Sequence, residues 1–439
     1  MTELHRSPRQ VAAVALQKVL DQGAYSNLIL DQLCRRAGLQ GQDAAFAGAL
    51  FYGALERVLT LDAILTRFSR QPLEKLSPAV RSILRITLYQ LYYMDRVPDH
   101  AAVDEGVNLT RTMKVPRAAG FVNGILRNVL RQNKPLPKLP EDPTGRLSLA
   151  YSCPQWLIRH WIRSYGEARA EQILQSSLGR PPVYLRANTL RTTAQDLLRR
   201  LEEAGIQGRL MEPDGCIQVE KTGSFERLSP FQEGLFHIQD QASQFCVRAL
   251  EPKPGERLLD VCAAPGGKTL TAAQYMENTG EILACDLHEN KLPLITASAR
   301  RLGIQNISVQ GNDGAIFRPE FGLFDRVLCD VPCSGLGIIR RKPEIKYKPQ
   351  EFLQEFPEIQ YKILQTSSNY LKKGGILVYS TCTLNPAENE QVVARLLQEM
   401  PELVPCPLPQ EMGEGYQRTF FPDVQGSDGF FLARLQKKW

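Results

Sequence analysis

The chain has 439 residues, of which 43% are hydrophobic and 23% charged, with a formal net charge of +6. A chain of this length predicts roughly two to four domains of ~100 to 200 residues each. The sequence shows neither an uninterrupted apolar run of ~18 residues nor a signal peptide. We therefore expect a cytoplasmic protein without a membrane segment.

The cysteine pattern limits the kind of site that the chain can form. Ten cysteines are present, but no C-x-x-C pair occurs, and Cys329 and Cys333 are the only close pair. This spacing argues against a disulfide framework and against a zinc knuckle. We expect free thiols in a reducing compartment, and no metal site.

Residues 7–133 are predicted to be entirely helical. Ser7-Pro8 and Ser77-Pro78 each combine a capping serine with a proline in the first helical turn. Apolar residues follow the second pair at helical spacing, at Val80, Leu84, Leu88 and Leu91. Such a stripe is typical of a helix with one buried face.

A run of basic residues gives this helical region its charge. Residues 1–150 contain 20 Lys and Arg against 13 Asp and Glu. Between Glu105 and Glu141 the basic residues, with no acid among them, are Arg111, Lys114, Arg117, Arg127, Arg131, Lys134 and Lys138. The run indicates either a polyanion-binding face or a solvated helix surface. We predict that the first five contact RNA.

Residues 85–94, 100–111 and 120–131 resemble the helical domain of NusB-type antitermination factors, which bind RNA. Four prolines then occur between residues 134 and 143, a composition that favours an extended spacer. We therefore predict a NusB-like helical RNA-binding domain over residues 1–140.

A small α+β module is predicted over residues 144–232. Helix returns at residues 147–178, Val183–Ala187 is a predicted strand, and residues 194–204 are an amphipathic helix. Arg186 and Asn188 lie in and just after the short strand. They are predicted RNA contacts, although a solvated sheet face explains polar residues there equally well.

Residues 258–269, L-L-D-V-C-A-A-P-G-G-K-T, predict a strand, a tight turn and the start of a helix. Gly266 and Gly267 allow a ligand to approach the backbone, and the helix directs unpaired N–H groups toward the same crevice. The dinucleotide pattern G-x-G-x-x-G is not present, and Cys262 stands where a P-loop has its first glycine. A pocket for S-adenosylmethionine (SAM) is the third interpretation.

Carboxylates at the next two strand ends favour the SAM interpretation. The strand at residues 281–285 leads into Asp286, about 20 residues after the loop, where ribose-binding carboxylates occur in such folds. The strand at residues 307–310 is followed by Asp313, which is suited to an adenine amino group. SAM is therefore the predicted cofactor.

Two further strands present a cysteine toward the same crevice. Residues 324–329 lead into D-V-P-C, ending at Cys333, and residues 376–380 lead into T-C, ending at Cys382. Alternating strands and helices predict a doubly wound sheet, a Rossmann-like α/β domain over residues 233–439. In such a sheet both thiols can contact one substrate.

Two thiols beside a methyl donor have a definite use when the acceptor is C5 of a pyrimidine. One thiolate adds to C6 and makes C5 nucleophilic, and the other thiol assists release of the product. Asp330 is placed to bond the polar edge of the base. Residue types alone leave open which cysteine attacks.

The motifs C-A-A-P-G-G-K-T, D-V-P-C-S-G-L-G and Y-S-T-C-T-L-N-P-A-E-N-E resemble those of NOL1/NOP2/Sun-family RNA (cytosine-5) methyltransferases. The resemblance implies that Cys382 is the nucleophile, that Cys333 assists product release, and that Asp330 contacts the target base. The SAM-binding residues that it implies are Cys262, Ala263, Ala264, Pro265, Gly266, Gly267, Lys268, Asp286, Asp313 and Asp330.

Combined with the NusB-like region, this resemblance implies an enzyme that methylates C5 of cytosine 967 in 16S rRNA, either naked or in the assembling small subunit. A monomer is the default expectation. Two alternatives remain open. The same chemistry would serve a tRNA substrate, and a non-catalytic RNA-binding assembly factor would retain the fold without using the cysteines.

Overall fold

The structure is a computed structural model that describes residues 7–220, 224–422 and 426–438. The chain divides into two compact units. The helical unit contains the described residues up to Arg180 together with Ile339–Gln350, and the sheet unit contains Pro181–Ile338 and the described residues from Glu351 onward.

Ten helices form the helical unit, as far as the chain is described. Helices α1 to α10 span Pro8–Gln22, Ser26–Ala37, Gly41–Glu56, Val58–Phe68, Pro78–Tyr93, Asp99–Thr112, Ala119–Arg131, Pro143–Tyr151, Gln155–Tyr165 and Glu167–Ser176. The prediction of helix over residues 7–133 is confirmed. Ser77 caps α5 by accepting a hydrogen bond from the Val80 amide, and the predicted stripe on α5 is buried.

Helices α8 to α10, which follow the proline-rich spacer, pack in the helical unit. The Thr60 hydroxyl of α4 donates to the Leu149 carbonyl at 2.7 Å, and the Leu59 amide donates to the Ser152 hydroxyl at 2.9 Å. These bonds join α4 to α8 across the spacer. Composition along the chain does not reveal such long-range pairing.

Residues 339–350 also pack in the helical unit, although they lie inside the predicted catalytic domain. The Lys346 ammonium is fully buried and donates to the Glu56 carbonyl at 2.8 Å. The Tyr347 hydroxyl donates to the Leu55 carbonyl at 2.8 Å, and the Ser26 amide donates to Glu344 at 3.0 Å. Polar bonds to backbone groups therefore fix this segment in place.

A small antiparallel sheet opens the sheet unit. Its strands β1 to β4 are Val183–Ala187, Gly208–Met211, Cys216–Val219 and Phe236–Ile238, in the order β2-β3-β1-β4. Helices α11 (Ala194–Glu203) and α12 (Ser229–Gln232) accompany it. Leu185 of β1 pairs with Ile238 of β4, which places β4 at the edge of this sheet.

The second sheet has eight strands and carries the candidate site. Strands β5 to β12 are Arg257–Asp260, Glu281–Asp286, Ile307–Gly311, Phe324–Asp330, Leu371–Thr381, Leu403–Pro405, Gln417–Phe420 and Phe430–Lys437. The order is β10-β12-β9-β8-β5-β6-β7, with β11 paired to β12. Strands β5 to β9 pair in parallel and β10 to β12 antiparallel. The predicted α/β fold is confirmed.

Helices cover both faces of this sheet. Helices α13 to α17 are Gln241–Leu250, Gly267–Tyr275, Leu292–Leu302, Pro357–Asn369 and Glu390–Glu399. Consecutive strand residues face opposite sides: Leu258 packs in the core that includes α13 and α14, and Leu259 in the core that includes α16 and α17. The strand order reverses at β5, where open α/β sheets place their ligand crevice.

No single helix in the described part of the chain is long and apolar enough to cross a membrane, and one bent pair, Gly41–Glu56 with Val58–Phe68, meets the length and composition criteria together.

Two ion pairs of the helical unit allow a test of what burial does to stability. The Arg85 guanidinium, which is 8% exposed, bonds both oxygens of Asp62 at 2.8 and 2.7 Å. We expect Asp62→Ala to lower the free energy of unfolding by about 2 kcal/mol, because it leaves a buried cation unpaired. The exposed pair of Asp31 and Arg35 on α2 provides the control.

Asp31→Ala is expected to change the stability by less than about 0.5 kcal/mol, since an exposed pair of this kind contributes little. Chemical denaturation followed by circular dichroism measures both variants. Equal losses for the two substitutions would contradict the assignment of a stabilising role to the buried pair.

Candidate active site

The candidate site lies at the carboxyl ends of the parallel strands. Strands β5, β6 and β8 end at Asp260, Asp286 and Asp330, and β9 ends at Thr381, just before Cys382. Because these strands are neighbours in one parallel sheet, their carboxyl ends share one edge. The structure therefore brings the strand-end residues Asp286 and Asp330 and the neighbouring Cys382 to one edge of the sheet.

The predicted strand, turn and helix around the small-residue loop are present as β5, residues 261–266 and α14. Gly266 has φ +109°, and a Cβ there would lie 3.1 Å from Ile295. Both features explain why glycine occupies the position. The peptide bond between Ala264 and Pro265 is cis. The Ala263 amide donates to the Cys285 carbonyl at 2.7 Å, which joins the loop to β6.

Asp286 fixes the loop from the neighbouring strand. Its carboxylate accepts hydrogen bonds from the Ala264 amide at 3.1 Å and the His288 amide at 2.9 Å. Asp313, which follows β7, accepts from the Ala315 amide at 2.9 Å. Each carboxylate oxygen has a second lone pair, so these bonds leave acceptor capacity for a ligand.

Asp260 belongs to this constellation, although we did not predict it from the sequence. One of its oxygens accepts from the Thr269 hydroxyl at 2.7 Å, and the other has no hydrogen-bond partner among the described residues. Burial raises the pKa of Asp260 to about 7, although the Thr269 hydroxyl opposes this shift. The rule that located the other carboxylates at strand ends applies to this position too.

Lys268 bonds a carboxylate of the site. Its ammonium contacts the Asp330 carboxylate at 2.7 Å, and the Ser380 hydroxyl donates to the other Asp330 oxygen at 2.7 Å. Burial disfavours the ammonium, but the adjacent negative groups, Asp330 first, outweigh burial and raise the pKa of Lys268 above its ordinary value. Asp330 is therefore held in one orientation at the end of β8.

The two cysteines of the sequence motifs face each other. Their sulfur atoms lie 3.2 Å apart, and both side chains are partly exposed. The Gly337 amide donates to the Cys382 carbonyl at 3.0 Å, which joins the two loops. The hydrogen bond to Cys382, together with burial, raises the pKa of Cys333 well above its ordinary range. The two thiols are within hydrogen-bond distance of each other, and either sulfur can be the donor.

The five predicted RNA contacts of the helical unit are all exposed: Arg111, Lys114, Arg117, Arg127 and Arg131. Arg127 and Arg131 bond neighbouring asparagine side chains, and none of the five pairs with an acid within the described residues. Exposed arginine and lysine side chains are the kind of group that contacts phosphates in nucleic-acid complexes.

Arg186 and Asn188 do not fit the role predicted for them. Arg186 is 1% exposed, and its guanidinium donates to the Gln274 side chain at 3.0 Å. Asn188 is fully buried and donates to the carbonyls of Gly234 and Leu302. The prediction of RNA contact at these two positions is corrected: their side chains satisfy backbone and side-chain groups inside the sheet unit.

Within the described ranges no cluster of three or more His, Cys, Asp and Glu side chains has the arrangement of a metal site.

Three family models match successive parts of the chain. A family model described as 16S rRNA methyltransferase RsmB/F matches residues 247–436. The NusB family model matches residues 6–131, and a model of the ferredoxin-like domain of RsmF/B-like methyltransferases matches residues 153–226.

Solved structures share the fold. The crystal structure of PH0851 superposes with a TM-score of 0.83 at 24% identity and covers 98% of this chain and 99% of that chain. A methyltransferase homologue from Pyrococcus horikoshii is 32% identical, with a TM-score of 0.59, and covers 67% of this chain and 99% of its own.

Named relatives extend along the whole chain. The probable ribosomal RNA small subunit methyltransferase B of Bacillus subtilis is 38% identical over 98% of this chain and 99% of its own length. Its counterpart in Klebsiella pneumoniae is 33% identical over 98% of each chain. Identity at this level over the full length shows that the chain belongs to the ribosomal RNA small subunit methyltransferase B family.

Proposed function

We propose that this protein uses SAM to methylate C5 of one cytosine in 16S rRNA, cytosine 967, through a covalent bond between Cys382 and C6 of the base. The observation that carries the proposal is the pair of partly exposed thiols, 3.2 Å apart, at the ends of adjacent parallel strands. A thiol pair beside Asp330 suits an acceptor carbon that must be activated before it can be methylated.

The loop and carboxylates around Gly266 fit SAM. The glycine backbone leaves room for close approach, Asp286 and Asp313 retain acceptor capacity, and one buried oxygen of Asp260 lacks a partner among the described residues. A solved Pyrococcus horikoshii NSun6 structure that shares the fold, with a TM-score of 0.59, holds SFG, a SAM analogue. When bound, SAM supplies the methyl group.

The residues at the strand ends divide the reaction between them. The Cys382 thiolate forms a bond to C6, and the electron pair of the C5=C6 bond moves into the ring toward N3, where Asp330 meets the polar edge of the base. After C5 is methylated, a base removes the C5 proton, the bond between sulfur and C6 breaks, and the double bond returns. Cys333 retains its proton during attack and assists this release.

The helical unit supplies the electrostatic attraction for RNA. The five exposed cations from Arg111 to Arg131, which pair with no acid in the described part of the chain, offer phosphate contacts whose strength depends on salt. We propose that they hold the rRNA while the target nucleotide leaves its stack to reach Cys382. We also propose that the protein acts as a monomer in the cytoplasm, where its ten free cysteines stay reduced.

The two cysteines are expected to fail in different ways. With SAM and a 16S rRNA fragment containing cytosine 967, Cys382→Ala should lower methyl transfer by at least about 10³-fold and form no covalent complex. Cys333→Ala should accumulate a protein–RNA adduct, because release is impaired. Transfer of labelled methyl groups and denaturing gel electrophoresis measure the two effects.

Cys34→Ala, in the helical unit, is the matched control and should retain the wild-type rate. Normal methylation by Cys382→Ala, with loss of both activity and adduct in Cys333→Ala, would reverse the roles. Methylation of tRNA in place of the rRNA fragment would show that the substrate is tRNA, and the proposed cysteine chemistry would still hold.

Binding of SAM is expected to depend on Asp286. Asp286→Asn should raise the Kd for SAM by about 10- to 100-fold, because a charged acceptor is replaced by a neutral amide. Glu281→Gln changes the opposite end of the same strand, where the side chain pairs with Arg257, and should leave the Kd unchanged. Isothermal titration calorimetry measures both, and equal Kd values for the two variants would exclude this role.

Removal of the positive charges of Arg127 and Arg131 should weaken RNA binding and make the binding constant less dependent on salt concentration. For Arg127→Gln with Arg131→Gln, we expect the slope of log K against log salt to decrease by about 0.7 to 0.9 for each lost phosphate contact. Arg35→Gln removes an exposed cation that pairs with Asp31 and should leave the slope unchanged. Filter binding at several salt concentrations tests this, and an unaltered slope in the double variant would contradict RNA contact.

A further inference from the structure

A buried carboxylate, Glu388, lies between the two cysteine loops and belongs to none of the roles described above. Its side chain is fully buried. One oxygen accepts from the Ser334 amide and the Gln360 side chain, each at 2.9 Å. The other accepts from the Ser334 hydroxyl at 2.5 Å and the Asn385 side chain at 2.8 Å. Four donors therefore converge on one carboxylate.

These donors come from both loops. Ser334 directly follows Cys333, and its hydroxyl also lies 2.7 Å from that of Thr383, which directly follows Cys382. The Gln360 side chain additionally donates to the Pro332 carbonyl at 2.9 Å, just before Cys333. Removal of the carboxylate would break the hydrogen bonds that connect the two loops.

The backbone around Glu388 is fixed as well. The buried Tyr379 hydroxyl donates to the Glu388 carbonyl at 2.6 Å, which joins the residue to strand β9. All four donors to its side chain are neutral, and within the described residues Glu388 forms no ion pair. A buried charge without a cation is costly, so this position needs a reason beyond packing.

The Glu388 carboxylate affects the pKa of the Cys333 thiol. After the hydrogen bond to Cys382 and burial, the Glu388 carboxylate is a further cause that raises the pKa of Cys333. A negative charge on the Cys333 side disfavours a second negative charge there. Ser334, the residue next to Cys333, contributes two of the four donors, so the carboxylate is hydrogen-bonded directly to the Cys333 loop.

We propose that Glu388 is a positioning residue of the methyl-transfer reaction, which holds the Cys333 loop against the Cys382 loop and selects Cys382 as the attacking thiol. The proposal rests on the proposed function, since it concerns the same pair of cysteines. Because Glu388 is fully buried, it acts through the two loops and not by direct contact with RNA.

Glu388→Gln tests this in the full-length protein. The amide has the size of the carboxylate but presents N–H groups to donors and removes the charge. We expect kcat for methyl transfer to fall about 10- to 100-fold, with KM for SAM and RNA within about twofold of wild type. Glu390→Gln, in the same motif, changes a side chain that accepts from Thr419 instead, and should keep the wild-type kcat.

A second measurement separates positioning from a purely structural effect. Alkylation of Cys333 by iodoacetamide is followed against pH in Cys382→Ala protein, with and without Glu388→Gln. We expect the midpoint to move to lower pH by about one unit when the charge is removed. A wild-type kcat in Glu388→Gln, or a reduced kcat with an unmoved midpoint, would overturn the proposal.

Should Glu388→Gln not fold, as judged by thermal unfolding, Glu388→Asp replaces it. This variant keeps the charge but is one methylene shorter, so kcat should fall while the alkylation midpoint stays at its wild-type pH. A wild-type kcat in Glu388→Asp would overturn the proposal.

The outcome for Cys382→Ala separates this inference from the proposed function. If Cys382→Ala does not transfer methyl groups and Glu388→Gln has the wild-type kcat, only the role proposed for Glu388 is disproved. If Cys382→Ala methylates RNA at the wild-type rate, the proposed mechanism itself is disproved.

Discussion

The parallel register between strands β8 and β9 is the constraint on which the candidate site depends. Asp330 pairs with Ser380 at the ends of these strands, so the loops that follow them start side by side. Cys333 and Cys382 then meet at 3.2 Å, and the Ser380 hydroxyl reaches Asp330. A shift of one residue would turn every side chain of a strand to the opposite face.

Three carboxylates lie at or near the carboxyl ends of the parallel strands, and each is stabilised differently. Asp330 has the Lys268 ammonium, and Glu388 has four neutral donors. Asp260 has one hydroxyl, and burial raises its pKa to about 7. Negative charge close to two thiols discourages both from ionising together. The arrangement therefore suits a mechanism in which one cysteine attacks while the other keeps its proton.

The helical unit includes a segment from a distant part of the sequence. Residues 339–350, which follow the Cys333 loop along the chain, pack among its helices through Lys346 and Tyr347. Burial of the Lys346 ammonium lowers its pKa to about 8, and backbone carbonyls accept its hydrogen bonds. Such a contact needs partners almost 300 residues earlier in the sequence. Domain boundaries drawn along the chain do not anticipate it.

Local features of the sequence were sufficient for much of the fold. Strands such as Val183–Ala187, the capped start of α5 and the turn at Gly266 follow from periodicity, capping and backbone freedom, which depend on residues close in the chain. The strand-end rule also located Asp286, Asp313 and Asp330, because parallel strands place their carboxyl ends at one edge of a sheet.

The tertiary structure alone decided which polar groups became partners. Arg186 and Asn188 had the residue types of RNA contacts, yet burial and internal hydrogen bonds occupy both. The bond between Lys268 and Asp330, and the four donors around Glu388, join residues that are distant in the chain or separated by loops. Sequence determined the chemistry available at each position, whereas long-range pairing of strands determined which groups are close enough to act together.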